Sequence, residues 1–235
     1  MRISLIIPCY KESSRFPLFL QSICHLTTRY PLEIIVVDDG SPSSDFELLK
    51  NKISNQLTEN IRLLHYDKNK GKGAAIQYGI DNSAGEYIGF VDADGAIPSN
   101  EVENFIQYIL KNPDEDMIIS SRIRILGKTV NRSLKRHLSG RVFITILNLF
   151  FSVPVYDSQS GLKIFKREKF NLIKDKISDF RWLWDTQVLI LFYKSKFKMK
   201  EIPIDWSDVP GSKVNLLRDS ILMFFRLFKF KQQIH

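Results

Sequence analysis

The sequence predicts an α/β protein with a mostly parallel sheet that is covered by helices on both faces. Three observations support this prediction. Strand-like and helical segments alternate through the first half of the chain, the strands are continuously apolar, and polar residues follow the strand ends. Runs such as residues 34–37 are typical of strands that are buried on both faces. With 235 residues and 44% hydrophobic content, the chain can form one such domain.

The elements are placed by their apolar runs and by the turn residues between them. Strands are predicted at residues 2–8, 33–38, 61–66, 86–91 and 116–121. Helices are predicted near residues 14–28, 44–57, 72–83 and 99–112. The second half is less regular, with a basic segment (128–141), an apolar stretch (142–155), a polar loop (157–161), a short strand (162–165), an aromatic helix (182–195) and a strand (198–204). Residues 214–235 are predicted to form an amphipathic C-terminal helix.

Two carboxylates, Asp92 and Asp94, directly follow the predicted strand at residues 86–91. Residues i and i+2 of an extended segment point the same way, so the two side chains can share one divalent cation. Oxygen ligands suit Mg²⁺ or Mn²⁺, and Mg²⁺ is commonly held by one or two carboxylates together with substrate phosphates. A second Asp-x-Asp, formed by Asp114 and Asp116, precedes a strand, and we interpret it as a solvated turn.

Polar or special residues also follow three other predicted strands. In open α/β sheets ligands bind beyond the carboxyl ends of the strands, so these segments are expected to converge on one crevice. Taken singly, each segment is more typical of a turn or a helix start than of a binding site, but together, beside the acidic pair, they indicate a nucleotide pocket. The segments are residues 8–12, 38–41 and 67–75.

The composition limits the classes of binding partner and the cellular compartment that we expect for this protein. The net charge of +8 suits an anionic partner such as a nucleotide, a nucleic acid or an acidic membrane surface. Two cysteines, Cys9 and Cys24, do not form a disulfide framework and fit a reducing cytosol. The chain starts directly with a strand, so no signal peptide is expected, and no apolar run reaches the roughly 20 residues that a membrane span needs.

Sequence motifs follow the predicted strands of the first half and recur in the second half. The first-half motifs are Ile-Ile-Pro-Cys-Tyr-Lys-Glu (6–12), Val-Val-Asp-Asp-Gly-Ser (36–41), Asn-Lys-Gly-Lys-Gly-Ala-Ala (69–75) and Asp-Ala-Asp-Gly-Ala (92–96). They resemble family 2 inverting glycosyltransferases of the GT-A fold. The second-half motifs lie at residues 121–122, 132–136, 157–165, 181–185 and 201–213. They resemble one branch of that family, the dolichyl-phosphate β-glucosyltransferases and their prokaryotic polyprenyl-phosphate relatives, and the similarity extends over about residues 2–226.

The resemblance implies a single GT-A domain over residues 1–235 and a role for each matched residue. It implies a nucleotide-sugar-binding half (1–121), an acceptor half (122–213) and the C-terminal helix (214–235). The implied donor-binding residues are Pro8, Tyr10, Glu12, Asp39, Lys72, Asp92 and Lys213, with Asp92 and Asp94 as metal ligands. The implied acceptor-phosphate residues are Arg122, Arg132 and Arg136, and Asp157, Gln159 and Asp185 are placed on the sugar and acceptor side. The catalytic set is Asp92, Asp94, Asp157, Arg122 and Arg136.

The implied reaction transfers a sugar to a polyprenyl phosphate with inversion, using Mg²⁺ or Mn²⁺. Gly95 and Ala96, which follow the acidic pair, favour UDP-glucose over GDP-mannose as the donor. Phosphate monoesters are ionised near neutral pH, so the acceptor needs no strong general base. Asp157 remains either a base or a residue that orients the acceptor, and a purely structural role for it stays open.

Two other functions remain open at this stage. One is a family 2 enzyme that acts on a hydroxyl of a cell-surface glycan, which would need a true base. The other is a basic nucleic-acid-binding module formed by the arginine cluster at 132–141, but no helix-turn-helix, zinc or RNP motif supports it, so nucleic acid is not expected as a partner.

A lipid-linked acceptor implies a cytoplasmic enzyme that sits peripherally on the cytosolic face of an anionic membrane. Residues 132–155 and 214–231 both combine cationic side chains with Leu, Ile and Phe, as interfacial helices do. In the alternative interpretation, Phe143, Leu147, Phe150 and Phe151 pack only on the core, and the phenylalanines at 224, 225, 228 and 230 cover a homo-oligomer interface.

Overall fold

A computed structural model describes residues 1–131, 133–209 and 216–234 of the chain. The side chains of 134–136 and 216–221 are not described within these ranges. The strands are β1 (Ile3–Cys9), β2 (Leu32–Asp38), β3 (Ile61–His65), β4 (Tyr87–Val91), β5 (Met117–Ser121), β6 (Val130–Asn131), β7 (Leu162–Lys166), β8 (Met199–Pro203) and β9 (Trp206–Ser207). The helices are α1 (Phe16–Ile23), α2 (Leu26–Arg29), α3 (Ser43–Ile53), α4 (Lys72–Asp81), α5 (Ser99–Lys111), α6 (Leu134–Phe151), α7 (Arg167–Asn171), α8 (Trp184–Lys194) and α9 (Leu216–Gln233).

Seven strands form the central sheet in the order β3-β2-β1-β4-β7-β5-β8. β1 pairs in parallel with both β2 and β4, and β2 pairs in parallel with β3. β7 lies antiparallel between β4 and β5, and β5 pairs in parallel with β8. The prediction of a mostly parallel sheet is confirmed, and β7 is the reversed strand within it.

The reversed direction of β7 matters for the site. Leu162, its first residue, pairs with Val91, the last residue of β4, so the loop before β7 reaches the same sheet edge as the residues after β4. β5 runs parallel to β4 because both are antiparallel to β7, so Arg122 also emerges at that edge. The carboxyl ends of β1, β2, β3, β4 and β5 and the beginning of β7 therefore all lie at this edge of the sheet.

Helices cover both faces of the sheet and enclose two hydrophobic clusters. Successive residues of β1 alternate between them, with Leu5 and Ile7 in one cluster and Ile6 in the other. The first cluster packs against α1, α3 and α5, and the second packs against α4, α6, α8 and α9. Burial on both faces explains why the strands are continuously apolar rather than alternating.

The structure differs from the sequence-based expectation in three places. The helix expected at 14–28 is divided into α1 and α2, and the hydroxyls of Thr27 and Thr28 donate to backbone carbonyls three residues earlier, which competes with a regular helix. β6 and β9, each two residues long, form a small separate parallel sheet that no periodicity reveals. The expected solvated turn is only half correct, because Asp114 is exposed but Asp116 is buried and accepts hydrogen bonds from Lys166 and Lys198.

Candidate active site

A cavity of about 280 Å³ opens at the sheet edge where β1, β2 and β4 end. It brings together residues from four separate segments of the first half, as the parallel topology requires. Seven residues singled out from the sequence line it: Pro8, Tyr10, Glu12, Asp39, Lys72, Asp92 and Asp94. Arg15, Asn69, Gly71, Arg181 and Trp182 complete much of the remaining wall.

The Asp92 and Asp94 carboxylates both face this cavity. Burial raises the pKa of Asp94 above its ordinary value, and the neighbouring charge of Asp92 raises it further. The backbone N–H of Ala96 donates to Asp94 Oδ1 over 3.0 Å, which fixes the side chain. Two crowded carboxylates of this kind form a pair of oxygen donors whose repulsion a cation would relieve.

The loop before β7 contacts Asp92 closely and fixes its position. The Asp92 backbone N–H donates to the Gly161 carbonyl over 2.9 Å. A Cβ atom at position 161 would lie only 2.2 Å from Asp92 Oδ2, so glycine is required for this close approach. The loop at 157–161 and the acidic pair are therefore one structural unit.

Lys72 pairs with Asp92 at the entrance to α4. Its Nζ lies 2.6 Å from Asp92 Oδ1 and 5.2 Å from the centre of the Phe90 ring. Burial lowers the pKa of Lys72, but the charges of Asp92 and Asp185 outweigh this effect and leave the pKa raised. Lys72 therefore stays protonated and neutralises part of the carboxylate charge.

The first backbone N–H groups of α4 are already used by the protein itself. Gly73 donates to the Arg181 carbonyl over 3.2 Å, and Ala74 donates to the Phe180 carbonyl over 2.8 Å. Gly73 allows this contact because a Cβ there would lie 2.3 Å from Cβ of Trp184. The glycine-rich sequence thus serves close packing of the loop at 180–184 and leaves these donors unavailable to a phosphate.

Asp39 organises the loop that follows β3. Its carboxylate accepts hydrogen bonds from the Tyr66 hydroxyl (2.6 Å), the Asn69 amide (2.9 Å) and the backbone N–H groups of Lys70 and Gly71 (2.8 and 2.9 Å). Burial, followed by the hydrogen bond to Asp39, raises the pKa of the Tyr66 phenol. Asp39 lines the predicted uridine side of the cavity, but it also holds the loop that carries Lys72.

Glu12 is likewise bound within the protein. Its carboxylate forms a two-pronged ion pair with Arg15, in which Arg15 Nε donates over 2.9 Å. The spacing of three residues was the available signal in the sequence, because side chains at i and i+3 meet on one helical turn. Arg15 was missed as a cavity residue.

Arg122 and Asp157 form a two-pronged ion pair on the other side of the 157–161 loop. Arg122 Nε and Nη2 donate to the two carboxylate oxygens over 2.6 and 2.8 Å. Glu201 fixes the loop by accepting from the backbone N–H groups of Tyr156 and Asp157. A smaller cavity beside this pair is lined by Arg122, Asp157 and Gln159 together with Arg141 of α6.

The remaining predicted residues are more scattered. Asp185 is buried at the start of α8, where Lys163 Nζ lies 3.3 Å from its Oδ2, so it bonds inside the domain. Lys163 is fully buried, and a lysine inside a short apolar strand was the overlooked signal for an internal ion pair. The backbone of Arg136 belongs to α6, but its side chain is not described. Arg132 and Lys213 lie outside the described residues.

No group of three or more His, Cys, Asp or Glu side chains that could hold a metal ion occurs within the described ranges. A cation at Asp92 and Asp94 would therefore take its other ligands from a bound phosphate or water, as Mg²⁺ commonly does. In the same part of the chain, no helix has both the length and the apolar character needed to cross a bilayer.

Comparison with known sequences places this geometry in a family. The model of glycosyl transferase family 2 matches residues 4–174. The dolichyl-phosphate β-glucosyltransferase of Dictyostelium discoideum is 33% identical, over 94% of this chain and 71% of the relative. The protein of the same name from Saccharomyces cerevisiae is 32% identical, with the same two coverages.

Solved structures agree on the fold. Glucosyl-3-phosphoglycerate synthase from Mycobacterium tuberculosis, in complex with Mn²⁺, UDP and phosphoglyceric acid, has a TM-score of 0.74 at 14% identity and covers 98% of this chain and 78% of that one. Mannosyl-3-phosphoglycerate synthase from Rubrobacter xylanophilus has a TM-score of 0.72 at 16% identity, covering 98% and 73%. At these identities the likeness concerns the fold, and it confirms the GT-A architecture. Together, the matched family model, the relatives and the fold show that this chain is a glycosyltransferase and belongs to family 2.

Proposed function

We propose that this enzyme transfers glucose from UDP-glucose to a polyprenyl phosphate of the dolichyl type and inverts the anomeric configuration. The relatives that cover most of the chain carry the name dolichyl-phosphate β-glucosyltransferase, which supports both the sugar and the acceptor. The observation that carries the proposal is the Arg122–Asp157 pair, because it holds an arginine beside the acidic pair and engages the carboxylate that could otherwise act as a base.

The donor side suits a nucleoside diphosphate with a divalent cation. Asp92 and Asp94 provide the hard oxygen ligands that Mg²⁺ and Mn²⁺ prefer, and a structural neighbour of the same fold is described with Mn²⁺ and UDP. A bound cation would stabilise the charge of the departing UDP. Pro8, Tyr10, Glu12 and Asp39 are proposed to bind the uridine, and Lys72 and Lys213 are proposed to lie at the diphosphate.

The acceptor side suits a phosphate monoester. Such a group is already ionised near neutral pH, so its oxygen can attack the anomeric carbon once it is positioned. Asp157 fixes the orientation of the Arg122 guanidinium through Nε and one N–H of Nη2, and the Nη1 group with the second N–H of Nη2 is proposed to donate to the phosphate oxygens. Arg132 and Arg136 are proposed to join Arg122, with Gln159 on the same side. Attack from the face opposite UDP gives the β-linked product.

A hydroxyl acceptor is the second candidate and would require a general base. The two carboxylates that the sequence placed on the acceptor side are engaged: Asp157 by Arg122 and Asp185 by Lys163. A carboxylate that already accepts strong hydrogen bonds from a cation is a weak proton acceptor. The geometry therefore favours the phosphate acceptor, and Asp157 is assigned to orientation.

The lipid acceptor brings the enzyme to a membrane. We propose peripheral docking on the cytosolic face through the outer surface of α6 and α9, defined here by Leu138, Val142 and Leu149 on α6 and by Leu222, Phe225 and Phe228 on α9. These six side chains are between 42% and 75% exposed. The chain's excess positive charge favours an anionic surface.

The experiment combines radiolabelled nucleotide-sugars with Mn²⁺, and separately Mg²⁺, and polyprenyl phosphate, followed by organic extraction. Label from UDP-glucose is expected in the organic phase as a β-linked product, and Asp94→Asn should abolish it while Asp114→Asn, in the exposed turn, should not. Transfer from GDP-mannose and none from UDP-glucose would overturn the donor. Transfer to a glycan hydroxyl and none to the lipid phosphate would overturn the acceptor.

A further inference from the structure

We propose that Arg181 binds the diphosphate of the sugar donor and that the Asp179–Arg226 ion pair positions it by tying its loop to α9. This inference rests on the proposed function only in taking a nucleoside diphosphate as the donor. Arg181 belongs to the motif at residues 181–185, but the family resemblance described above implies no role for Arg181, Asp179 or Arg226.

Three basic side chains line this cavity, and two of them are engaged. Arg15 forms its ion pair with Glu12, and Lys72 forms its ion pair with Asp92. Arg181 lines the same wall and is exposed, and among the described residues it has no carboxylate partner. A diphosphate that lies beside Lys72 would also meet the Arg181 guanidinium, whose charge no described carboxylate neutralises, and the fork of donors of an arginine suits phosphate oxygens.

Four backbone N–H groups at this wall, those of Lys70, Gly71, Gly73 and Ala74, are already used by the protein. The N–H groups of Gly73 and Ala74 donate to the 180–181 loop itself, and those of Lys70 and Gly71 donate to Asp39. A helix start with free N–H groups binds phosphate readily, but here these groups are taken. The loop at 180–181, whose carbonyls accept the N–H groups of Gly73 and Ala74, places Arg181 at the cavity.

Asp179 fixes the conformation of this loop. Its Oδ1 accepts the backbone N–H groups of Arg181 (2.7 Å) and Leu183 (3.3 Å). Its Oδ2 accepts Arg226 Nη1 of α9 over 2.7 Å, and Asp179 is 8% exposed. One carboxylate therefore links the backbone of the donor-binding loop to the C-terminal helix.

Other contacts fix both partners of the Asp179–Arg226 ion pair, the loop that carries Asp179 and the helix α9. The Gln187 side chain accepts from the backbone N–H groups of Ser178 and Asp179, and the Ser178 hydroxyl donates to Gln233 of α9 over 2.9 Å. Leu227 and Phe230 of α9 are buried in the core, so the helix itself is held. Arg226 thus acts on the donor through Arg181 and is a positioning residue.

Calorimetric titration with UDP and with uridine, both in Mn²⁺, tests the role of Arg181. Arg181→Gln should weaken UDP binding by roughly 10- to 100-fold and leave uridine binding unchanged, because a charged hydrogen bond to the diphosphate is lost. Arg181→Lys should recover part of the loss, and Arg29→Gln, on the far edge of the sheet, should change neither. An unchanged UDP affinity, or equal losses for UDP and uridine, would overturn the assignment.

A double-mutant comparison tests Arg226. Arg226→Gln should weaken UDP binding by roughly 3- to 10-fold, and Arg226→Lys should restore much of it. In an Arg181→Gln background the same change should have no further effect, because Arg226 acts through Arg181. Additive losses, or a loss of uridine binding, would mean a purely structural role.

The same titrations include GDP with guanosine and ADP with adenosine, which separates this inference from the proposed donor. If the native enzyme prefers another base, UDP-glucose is wrong as the donor, and the variants are compared on the preferred nucleotide. If it binds none of the three diphosphates, both proposals are overturned.

Discussion

Gly161 shows how one missing side chain can shape an active site. The loop before β7 lies so close to Asp92 that a Cβ at position 161 would stand 2.2 Å from one carboxylate oxygen and 2.6 Å from Cγ. No real Cβ tolerates these distances, so the aspartate would have to rotate away from Lys72. The requirement for glycine at position 161 therefore comes from the adjacent Asp92 side chain more than from the backbone conformation of Gly161.

Gly161→Ala is expected to lower turnover by about 100-fold, because small misplacements of a catalytic group have effects of that order. The fold should persist, since the displaced carboxylate faces a cavity. The measurement is kcat with UDP-glucose together with the thermal midpoint. Full activity in this variant would show that the position of Asp92 tolerates change.

Asp94 shows the cost in stability of burying a carboxylate that is proposed to bind a metal ion. Its pKa is raised by burial and then by Asp92, so its ionised form is disfavoured in the metal-free protein. A carboxyl with a raised pKa stabilises the fold below its unfolded pKa, and this contribution is lost as the pH rises through the folded value. At any pH above its raised folded pKa, the ionised Asp94 is thus a destabilising charge.

Asp94→Asn should raise the thermal midpoint of the metal-free protein at neutral pH and lower turnover by at least about 100-fold. The asparagine can still accept the hydrogen bond from Ala96. Melting curves in EDTA and in Mn²⁺ with UDP check both parts, because only the native enzyme should be stabilised by the ligands. Asp114→Asn is the matched control, and a lower midpoint for Asp94→Asn in EDTA would contradict the argument.

At the scale of elements, a buried carboxylate joins three strands at the edge opposite the site. Glu33 of β2 accepts hydrogen bonds from the Ser4 hydroxyl (2.6 Å), the Ala84 N–H (2.9 Å) and Arg62 of β3 (3.0 Å). Burial alone would raise the pKa of Glu33, but these donors together outweigh it and lower the pKa. The amino ends of β1, β2 and β3 are thereby held in register.

The lowered pKa gives this network a defined pH dependence. Its stabilisation is present above the unfolded pKa of Glu33 and is lost as the pH falls through the lower folded value. Glu33→Gln should reduce the free energy of unfolding by about 1–3 kcal/mol at about pH 7 and by less at about pH 3. Urea denaturation at both pH values is the measurement. The exposed Glu59→Gln should have little effect at either pH, and an equal loss for Glu33→Gln at both would contradict the ionic contribution.

α6 and α9 pack side by side. The expectation that the apolar side chains of α6 pack on the core is confirmed for Phe143, Leu147 and Phe151, whereas Phe230, expected at an oligomer interface, is buried as well. Contact of the helix pair with a membrane or with a second copy of the chain stays a prediction. The Phe150 ring lies 6.2 Å from the ring of Phe228, so the helices meet through aromatic contacts. Phe225 remains 64% exposed on the outside. The helix pair therefore has an apolar inner face and an apolar outer surface.

For the whole molecule, the outer surface of α6 and α9 predicts binding to anionic vesicles. Phe225→Asp should reduce sedimentation with such vesicles several-fold, because it places a charge where an apolar side chain would enter the interface. Leu18→Asp is the matched control, since Leu18 is 71% exposed on α1, across the sheet from α9. Neither substitution affects a buried residue, so both variants should fold.

The outer surface of α6 and α9 could contact either an anionic membrane or a second copy of the chain. The salt dependence of vesicle binding and the oligomeric state of the protein distinguish these two partners. Binding should weaken with added salt and when Lys229 and Lys231 are neutralised; Arg226 is left intact because it pairs with Asp179. A native protein that stays in the supernatant at low salt would contradict docking. A dimer that Phe225→Asp dissociates would show that a second copy of the chain covers this surface.

The sequence by itself determined the architecture and indicated seven of the residues that line the cavity. Continuous apolar runs located β1 to β5, and the rule that ligands bind beyond the carboxyl ends of parallel strands placed Asp39 and Asp92 in one crevice. These inferences are local or follow from a general rule of topology. The sequence motifs were also sufficient to indicate the family, which the comparisons confirm.

Only the tertiary structure decided how the charged groups pair. Arg122 with Asp157, Lys163 with Asp185 and Asp179 with Arg226 are separated by 35, 22 and 47 positions in the chain. No periodicity reports such contacts, because they depend on where β7 is inserted and on how α9 crosses the domain. The sequence contains many charged residues that could pair with one another. Which of them form ion pairs depends on which side chains the packed fold brings within contact distance.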